Sequence, residues 1–352
     1  MAIALGLIIS LNQCKVDPKV DGLYSGTPYT LPKLSKKYRP YVEDATNPMT
    51  QEGVQLGRML FYDKNLSVDG SISCATCHKQ QFAFGDSSEL SVNIVGPTKR
   101  NTPPLMNLSM NKRFFWDGRV SSLADASADA LKGEQHFDFN KSLDQFRANA
   151  TYVSLFRKAF GKPDDITEEK VHKAIAQFIR IMVSVNAQFD KTYTAGLTAQ
   201  EKNGLLIFND NYKGDCFHCH ADGPYLTFVN QDVTFANNAL DSINDVNDFK
   251  DKGLGDFTKL NKDFGKFKIP TIRNWMYTAP YMHDGRFKTI EEVIDHYSDH
   301  LQLSPTVDPL MQLLNQGGSH MSASDKSDLI AFLKTLNDAS FVNDTSFANP
   351  FK

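Results

Sequence analysis

The stretch Cys-Ala-Thr-Cys-His at residues 74–78 recurs as Cys-Phe-His-Cys-His at residues 216–220. Cys-x-x-Cys-His is the attachment signature of c-type haem. Two cysteines at this spacing can both bond the porphyrin as thioethers, and the adjacent histidine then reaches the iron as its proximal ligand. We therefore predict two covalently bound haem c groups. The predicted attachment residues are Cys74, Cys77 and His78 for the first haem and Cys216, Cys219 and His220 for the second.

Paired cysteines also occur in thioredoxin-like redox motifs and in zinc sites. A thioredoxin motif does not require a histidine directly after its second cysteine. A zinc site would have to join the pair in residues 74–77 to the distant pair in residues 216–219. The haem interpretation is therefore favoured for both motifs.

The composition is that of a soluble globular protein with room for two domains, since 352 residues are 41% hydrophobic and 22% charged. The net charge of -3 argues against a nucleic-acid partner and gives no sign of a polybasic membrane patch. The haem motifs use four of the five cysteines, which excludes a disulfide within one chain and leaves Cys14 over.

An apolar run at residues 2–11 precedes Cys14. It has the length of a signal-peptide core and is too short to span a bilayer. The pattern resembles a bacterial lipoprotein signal at residues 1–14, with Cys14 as the lipidated residue and the only contact with a membrane. Residues 15–44 then form an N-terminal tether. Because haem c is normally attached outside the cytoplasm, we expect export to the periplasm.

Where apolar residues recur at regular spacing, the spacing is that of a helix, and no alternating strand pattern of useful length is present. Capping sequences predict helix starts at Asp165, Thr198, Thr289 and Ser322. Residues 229–265 are rich in Asn, Asp and Phe and are predicted to form an irregular insertion. The predicted fold class is therefore mainly α.

One segment occurs twice, each time on the C-terminal side of a haem motif. The first copy contains Pro103, Asn107 and residues 117–119, and the second contains Pro270, Asn274 and residues 284–286, at identical spacings. So regular a repeat indicates a duplicated unit. We predict two tandem cytochrome c-like domains, each with one covalently bound haem c, at residues 45–195 and 196–340, followed by a tail at residues 341–352.

Together these motifs resemble the bacterial dihaem cytochrome c peroxidase and MauG family over about residues 45–340. The resemblance includes Arg-Asn-x-Pro at residues 100–103, Phe-Trp-Asp-Gly-Arg at residues 115–119 and Thr-Ala-Pro-Tyr-Met-His-Asp-Gly at residues 278–285. It implies an N-terminal haem that reacts with hydrogen peroxide, a six-coordinate C-terminal haem that handles electrons, and a calcium ion between the domains. It also implies a small cytochrome c or cupredoxin as electron donor. The sequence does not decide whether the protein forms a homodimer.

The resemblance assigns roles to further residues. It makes Trp116 the relay between the two haems, although a tryptophan packed in the core remains the alternative. It makes Asn101, Thr278 and Pro280 the calcium ligands, and oxygen donors of this kind suit a hard cation. No acidic cluster in the sequence supports calcium independently.

The sixth ligand of the second haem distinguishes the branches of the family. The resemblance places Tyr297 there, where the cytochrome c peroxidases have methionine and MauG has tyrosine. A phenolate favours ferric iron and lowers the reduction potential, whereas methionine raises it. Met282, His296 and His300 remain alternatives.

The first haem is expected to be open to peroxide, because residues 79–100 contain no histidine that could block the iron. Cleavage of the O–O bond needs an acid–base group. Ungapped counting places His136 at the position of the family's glutamate and Ala126 at that of its glutamine. Glu134 reaches the glutamate position if the loop shifts by two residues. His136 as an iron ligand, or neither residue in this role, also remains open.

The sequence therefore predicts a dihaem peroxidase that reduces hydrogen peroxide to water with electrons from a small redox protein, with MauG-like storage of oxidising equivalents on both haems. The alternatives are a MauG-like oxidase that acts on a protein substrate and a non-enzymatic dihaem electron carrier.

Overall fold

The computed structural model describes residues 26–161, 166–221 and 234–352. The predicted signal, Cys14 and the first part of the tether lie outside these residues. The longer helices are α1 (Gln51–Tyr62), α2 (Leu123–Gly133), α3 (Phe139–Ala148), α4 (Ala150–Phe160), α5 (Glu168–Arg180), α6 (Ala199–Phe208), α7 (Ile290–Asp299) and α8 (Ala323–Lys334). The prediction of a mainly α fold is confirmed. No described helix is long and apolar enough to cross a membrane.

Helix starts follow the local sequence. Thr198, Thr289 and Ser322 cap α6, α7 and α8 in capping boxes, as the sequence predicts. The cap of α5 is Thr167, whose side chain accepts from the Lys170 amide. The predicted start at Asp165 lies outside the described residues.

Strands are very short in the described part of the chain. β1 (Val92–Asn93) pairs antiparallel with β2 (Gly96–Pro97). β3 (Phe235–Ala236) pairs antiparallel with β4 (Phe267–Lys268), with Phe235 opposite Lys268. The second pair joins a strand inside the predicted irregular insertion to a strand that directly follows it.

The apolar side chains form two buried clusters. The first gathers residues from α1 to α5, with Phe61 and Phe178 fully buried. The second gathers residues from 189 to 336, with Phe332 fully buried. Phe341 and Phe347 return to the first cluster, so the predicted tail packs there. The domain boundaries themselves stay predictions.

The described part of the predicted tether is held to the protein by polar contacts. The buried Tyr38 hydroxyl donates to Asp190, which also pairs with the fully buried Arg273. Asp44 pairs with Arg180 at 3.1 Å. From residue 38 onwards this segment is therefore a strap on the surface.

The repeated segment forms the same turn twice. Phe114 pairs with Val120 in an isolated antiparallel bridge, and Tyr281 pairs with Phe287 in the same way. Each turn ends shortly before a capped helix, α2 after the first copy and α7 after the second. The sequence repeat is thus also a structural repeat, and it aligns α2 with α7.

A second repeated feature is a glycine where the helix before each haem motif crosses a later helix. A Cβ at Gly57 of α1 would lie 1.9 Å from the Ala174 carbonyl oxygen of α5. A Cβ at Gly204 of α6 would lie 1.9 Å from the Asp328 carbonyl oxygen of α8. Any larger residue must therefore push the two helices apart.

We predict that Gly57→Ala and Gly204→Ala each lower the free energy of unfolding by about 1–3 kcal/mol, because overpacking outweighs the better helix propensity of alanine. The measurement is denaturant unfolding of the holoprotein, followed by circular dichroism. Gly133→Ala is the control, because nothing lies within 4 Å of a Cβ at Gly133. Equal stability of all three variants would contradict the close crossing.

Candidate active site

The two haem-motif histidines are each oriented by a backbone carbonyl. His78 Nδ1 lies 2.7 Å from the Phe84 oxygen, and His220 Nδ1 lies 3.1 Å from the Pro270 oxygen. Because a carbonyl only accepts, each Nδ1 carries the proton and each Nε2 keeps its lone pair. This is the arrangement of a histidine that binds a metal through Nε2.

The charge state of these histidines also suits iron. Burial lowers the pKa of His78 and lowers the pKa of His220 to about 4. Both imidazoles are therefore neutral near pH 7, and a neutral imidazole is the form that binds a metal.

The motif cysteines form no disulfide with one another in the structure. Burial raises the pKa of Cys74 to about 11 and the pKa values of Cys216 and Cys219 to about 12. A reactive thioredoxin-like cysteine needs a lowered pKa. Within the described residues, no three His, Cys, Asp or Glu side chains group as a metal site. Neither alternative to haem is therefore supported.

His78 and Cys74 border an apolar cavity, here called the first cavity. One wall is formed by α2, which contributes Leu123, Ala126 and Ala130. His220, Cys216 and Cys219 border a second cavity. There the matching wall is formed by α7, which contributes Ile290, Val293 and Tyr297.

The structural repeat pairs these wall residues one to one. Ala130 and Tyr297 each follow the Asp of their own Asp-Gly-Arg turn by 13 residues. The same helix position therefore presents a methyl group to the first cavity and a phenol to the second. A haem in the second cavity would have the Tyr297 phenol available as a ligand, and the matching position of the first cavity offers no such group.

Five residues line both cavities and form their shared wall. These residues are Pro104, Trp116, Lys268, Pro270 and Thr271. Trp116 is fixed there by its indole Nε1, which donates to the Asn101 carbonyl at 2.8 Å, and by its own carbonyl, which accepts from the Lys268 amide at 2.7 Å. The structure thus brings Trp116 to the boundary that the relay role requires. The relay itself stays a prediction.

Lys268 places a cation in this shared wall. Its burial lowers its pKa to about 8, and its ammonium group pairs with no carboxylate of the described residues. A buried charge needs a partner. Haem presents propionate carboxylates, so this unpaired ammonium fits the group that the motifs predict.

The candidates for the sixth ligand of the second haem are placed differently. Tyr297 and Met282 both line the second cavity. His296 Nε2 instead donates to the Asn238 carbonyl, and the exposed His300 bonds the Asp295 carbonyl through Nδ1. Both histidines are therefore engaged elsewhere, which leaves Tyr297 and Met282 at the cavity.

The distal candidates of the first haem lie just after α2, and neither lines the first cavity. His136 is exposed and has a left-handed φ of 46°. Glu134 accepts a hydrogen bond from Asn93 Nδ2 at 2.7 Å. Between them, the buried Gln135 points inward, with Nε2 3.4 Å from Cys74 Sγ. Sequence counting did not indicate Gln135.

The predicted calcium ligands Asn101, Thr278 and Pro280 all line the second cavity. Asn101 Nδ2 donates to the Ser88 and Glu89 carbonyls, at 3.2 and 3.0 Å, which leaves the side-chain oxygen as a ligand. All three residues thus line the same cavity, and calcium binding stays a prediction.

Two proximal histidines, each at its own apolar cavity with a cysteine pair beside it, define a two-haem protein of the c type. The family model described as di-haem cytochrome c peroxidase matches residues 51–198. The methylamine utilization protein MauG of Methylorubrum extorquens is 33% identical over 298 residues, which cover 82% of this chain and 79% of that protein. The cytochrome-c peroxidase IdrP1 of Pseudomonas sp. is 30% identical over 320 residues, 83% of this chain and 82% of that protein.

A solved structure of a MauG-like protein associated with microbial copper homeostasis also resembles this chain. It has a TM-score of 0.78 and 31% identity, and the likeness covers 91% of this chain and 99% of that one. The chain belongs to the di-haem cytochrome c peroxidase family. The predicted family is confirmed, and with it a peroxidase-type oxidoreductase with two haem c groups.

Proposed function

We propose that the protein reduces hydrogen peroxide to water at the haem on His78 and passes oxidising equivalents by way of Trp116 to the haem on His220. The main observation in support is that Ala130 and Tyr297 occupy equivalent positions on equivalent helices, Ala130 at the first cavity and Tyr297 at the second. It supports one iron that is open to peroxide and one that is closed by a side chain. When bound, the haems supply the iron that takes up peroxide and the electrons that reduce it.

Tyr297 is the ligand that closes the second haem in this proposal. It lines the cavity of His220 and is close enough to Cys219 and Cys216 to interact with them electrostatically. A phenolate favours the ferric state and lowers the reduction potential. This supports MauG-like storage of oxidising equivalents on both haems, with oxidation of a protein substrate as the second candidate function.

Glu134 is the distal acid–base group in this proposal. Glu134 directly precedes Gln135, whose Nε2 lies 3.4 Å from Cys74 Sγ, so Glu134 lies near the attachment of the first haem. Asn93 holds its carboxylate, whereas His136 is exposed. A carboxyl group here can take a proton from one peroxide oxygen and return it to the other.

The proposal also includes the electron donor, the cellular compartment, a calcium ion and a lipid anchor. The electrons come from a small cytochrome c or cupredoxin, and the protein works in the periplasm, because haem c is attached outside the cytoplasm. Asn101, Thr278 and Pro280 hold a calcium ion beside Trp116, since Asn101 also accepts the indole hydrogen bond. A lipid on Cys14 anchors the chain.

We predict that Ala130→Tyr closes the first haem and abolishes both cyanide binding and the reaction with peroxide, because a phenol then meets the iron as in the second cavity. Tyr297→Ala should open the second haem and give it a high-spin ferric EPR signal. Ala128→Tyr is the control, since Ala128 lies on the same helix without lining the cavity. An Ala130→Tyr protein that still binds cyanide would overturn the location of the peroxide site. A wild-type protein that binds no cyanide would favour the electron carrier.

We predict that Glu134→Gln slows the reaction of the ferric protein with peroxide by about 10²–10⁴-fold, the usual contribution of a general acid–base. His136→Gln should leave this rate near the wild-type value. Stopped-flow spectroscopy in the Soret region measures both rates. The opposite ranking would assign the acid–base role to His136.

A further inference from the structure

Asn238 is a polar side chain of the second cavity that no role in the proposed function uses. Its Nδ2 lies 3.0 Å from the Tyr297 hydroxyl oxygen. The same nitrogen lies 3.5 Å from Met282 Sδ. One amide therefore reaches both side chains that can serve as the sixth ligand.

The backbone that presents Asn238 is fixed by its neighbours. The buried Asn237 donates from Nδ2 to Ser304 Oγ and Thr306 Oγ1, both at 3.0 Å. Its backbone carbonyl accepts from the Asp308 amide at 3.0 Å. Asn238 is thus held in place by protein hydrogen bonds, which is how outer-shell partners orient a metal ligand.

The helix of Tyr297 is tied to the same residue. His296 Nε2 donates to the backbone carbonyl of Asn238 at 3.0 Å, and the His296 ring is buried. Two successive residues of α7 therefore contact Asn238. His296 bonds the backbone of Asn238, and Tyr297 bonds its side chain. These two hydrogen bonds fix the phenol relative to its amide donor.

We propose that Asn238 is the positioning residue of Tyr297: its amide donates a hydrogen bond to the phenolate oxygen that binds the second iron. The inference rests on the proposed role of Tyr297. A hydrogen bond to an anion is stronger than one to a neutral acceptor, so the bond strengthens on coordination. It withdraws electron density from the oxygen and raises the reduction potential of the haem relative to an unassisted phenolate.

The same amide selects between the two candidate ligands. A thioether sulfur is only a weak acceptor, whereas a phenolate oxygen is a strong one. Asn238 therefore stabilises the state in which Tyr297 binds and Met282 does not. Asn238 keeps the second haem in the tyrosinate-ligated form.

The test is Asn238→Leu in the holoprotein, which keeps the branching at Cγ and replaces the amide donor by methyl groups. The reduction potential of the second haem should fall, and its phenolate-to-iron charge-transfer band should move to longer wavelength. The high-spin signal of the first haem should not change. Asn238→Asp, which keeps the shape and replaces the donor by an acceptor, should shift both quantities in the same direction.

Ser304→Ala is the matched control, because it removes a hydrogen bond from the same segment without contacting Tyr297. An equal shift in this control would mean a loosened segment and overturn the proposal. The variant Tyr297→Phe distinguishes a failure of the role proposed for Asn238 from a failure of the role proposed for Tyr297. If Tyr297→Phe changes the band and Asn238→Leu does not, Asn238 is not the positioning residue. If neither changes it, Tyr297 is not the ligand and the proposed function itself must be revised.

Discussion

The hydrogen bond from the Lys268 amide to the Trp116 carbonyl joins the two halves of the site. Residues 267–271 hold Trp116 by this bond, orient His220 through the Pro270 carbonyl and place the Lys268 ammonium in the shared wall. One short segment thus fixes both His220 and Trp116, which lies in the wall shared by the two cavities. These backbone hydrogen bonds hold Trp116 and His220 in a fixed geometry relative to residues 267–271.

Duplication explains how one chain builds two different haem environments. The backbone of the repeated turn is retained, with the same bridge and the same following helix. The side chains differ at a few positions. Trp116 corresponds to His283 and Ala130 corresponds to Tyr297, each at the same distance from its Asp-Gly-Arg turn. The two cavities therefore differ in their lining side chains while the repeated turn and helix are kept.

Much of the fold could be predicted because it is encoded locally. The haem motifs are contiguous, and the caps at Thr198, Thr289 and Ser322 act within one turn of their helices. The contribution of Pro270 could not be predicted, because its carbonyl meets His220 from a segment 50 residues away. Asn238 was missed for the same reason, since it lies 59 residues from Tyr297.

The distal site shows the limit of counting along the chain. Counting equates positions only while the backbone keeps its helical register. α2 ends at Gly133, and His136 then takes a left-handed conformation that turns its side chain to solvent. Similarly, residues 341–352 are predicted to form a tail beyond the second domain, yet Phe341 and Phe347 pack into the first cluster. Both features depend on where a loop directs the chain, which the sequence pattern does not record.

The most direct test is a titration of the fully ferric protein with hydrogen peroxide, followed by EPR and optical spectroscopy. One equivalent of peroxide should remove both ferric signals without prior reduction, because an open first haem and a tyrosinate-ligated second haem share the two oxidising equivalents. A protein that reacts only after one electron has been added would contradict both the open first haem and Tyr297 as the ligand of the second.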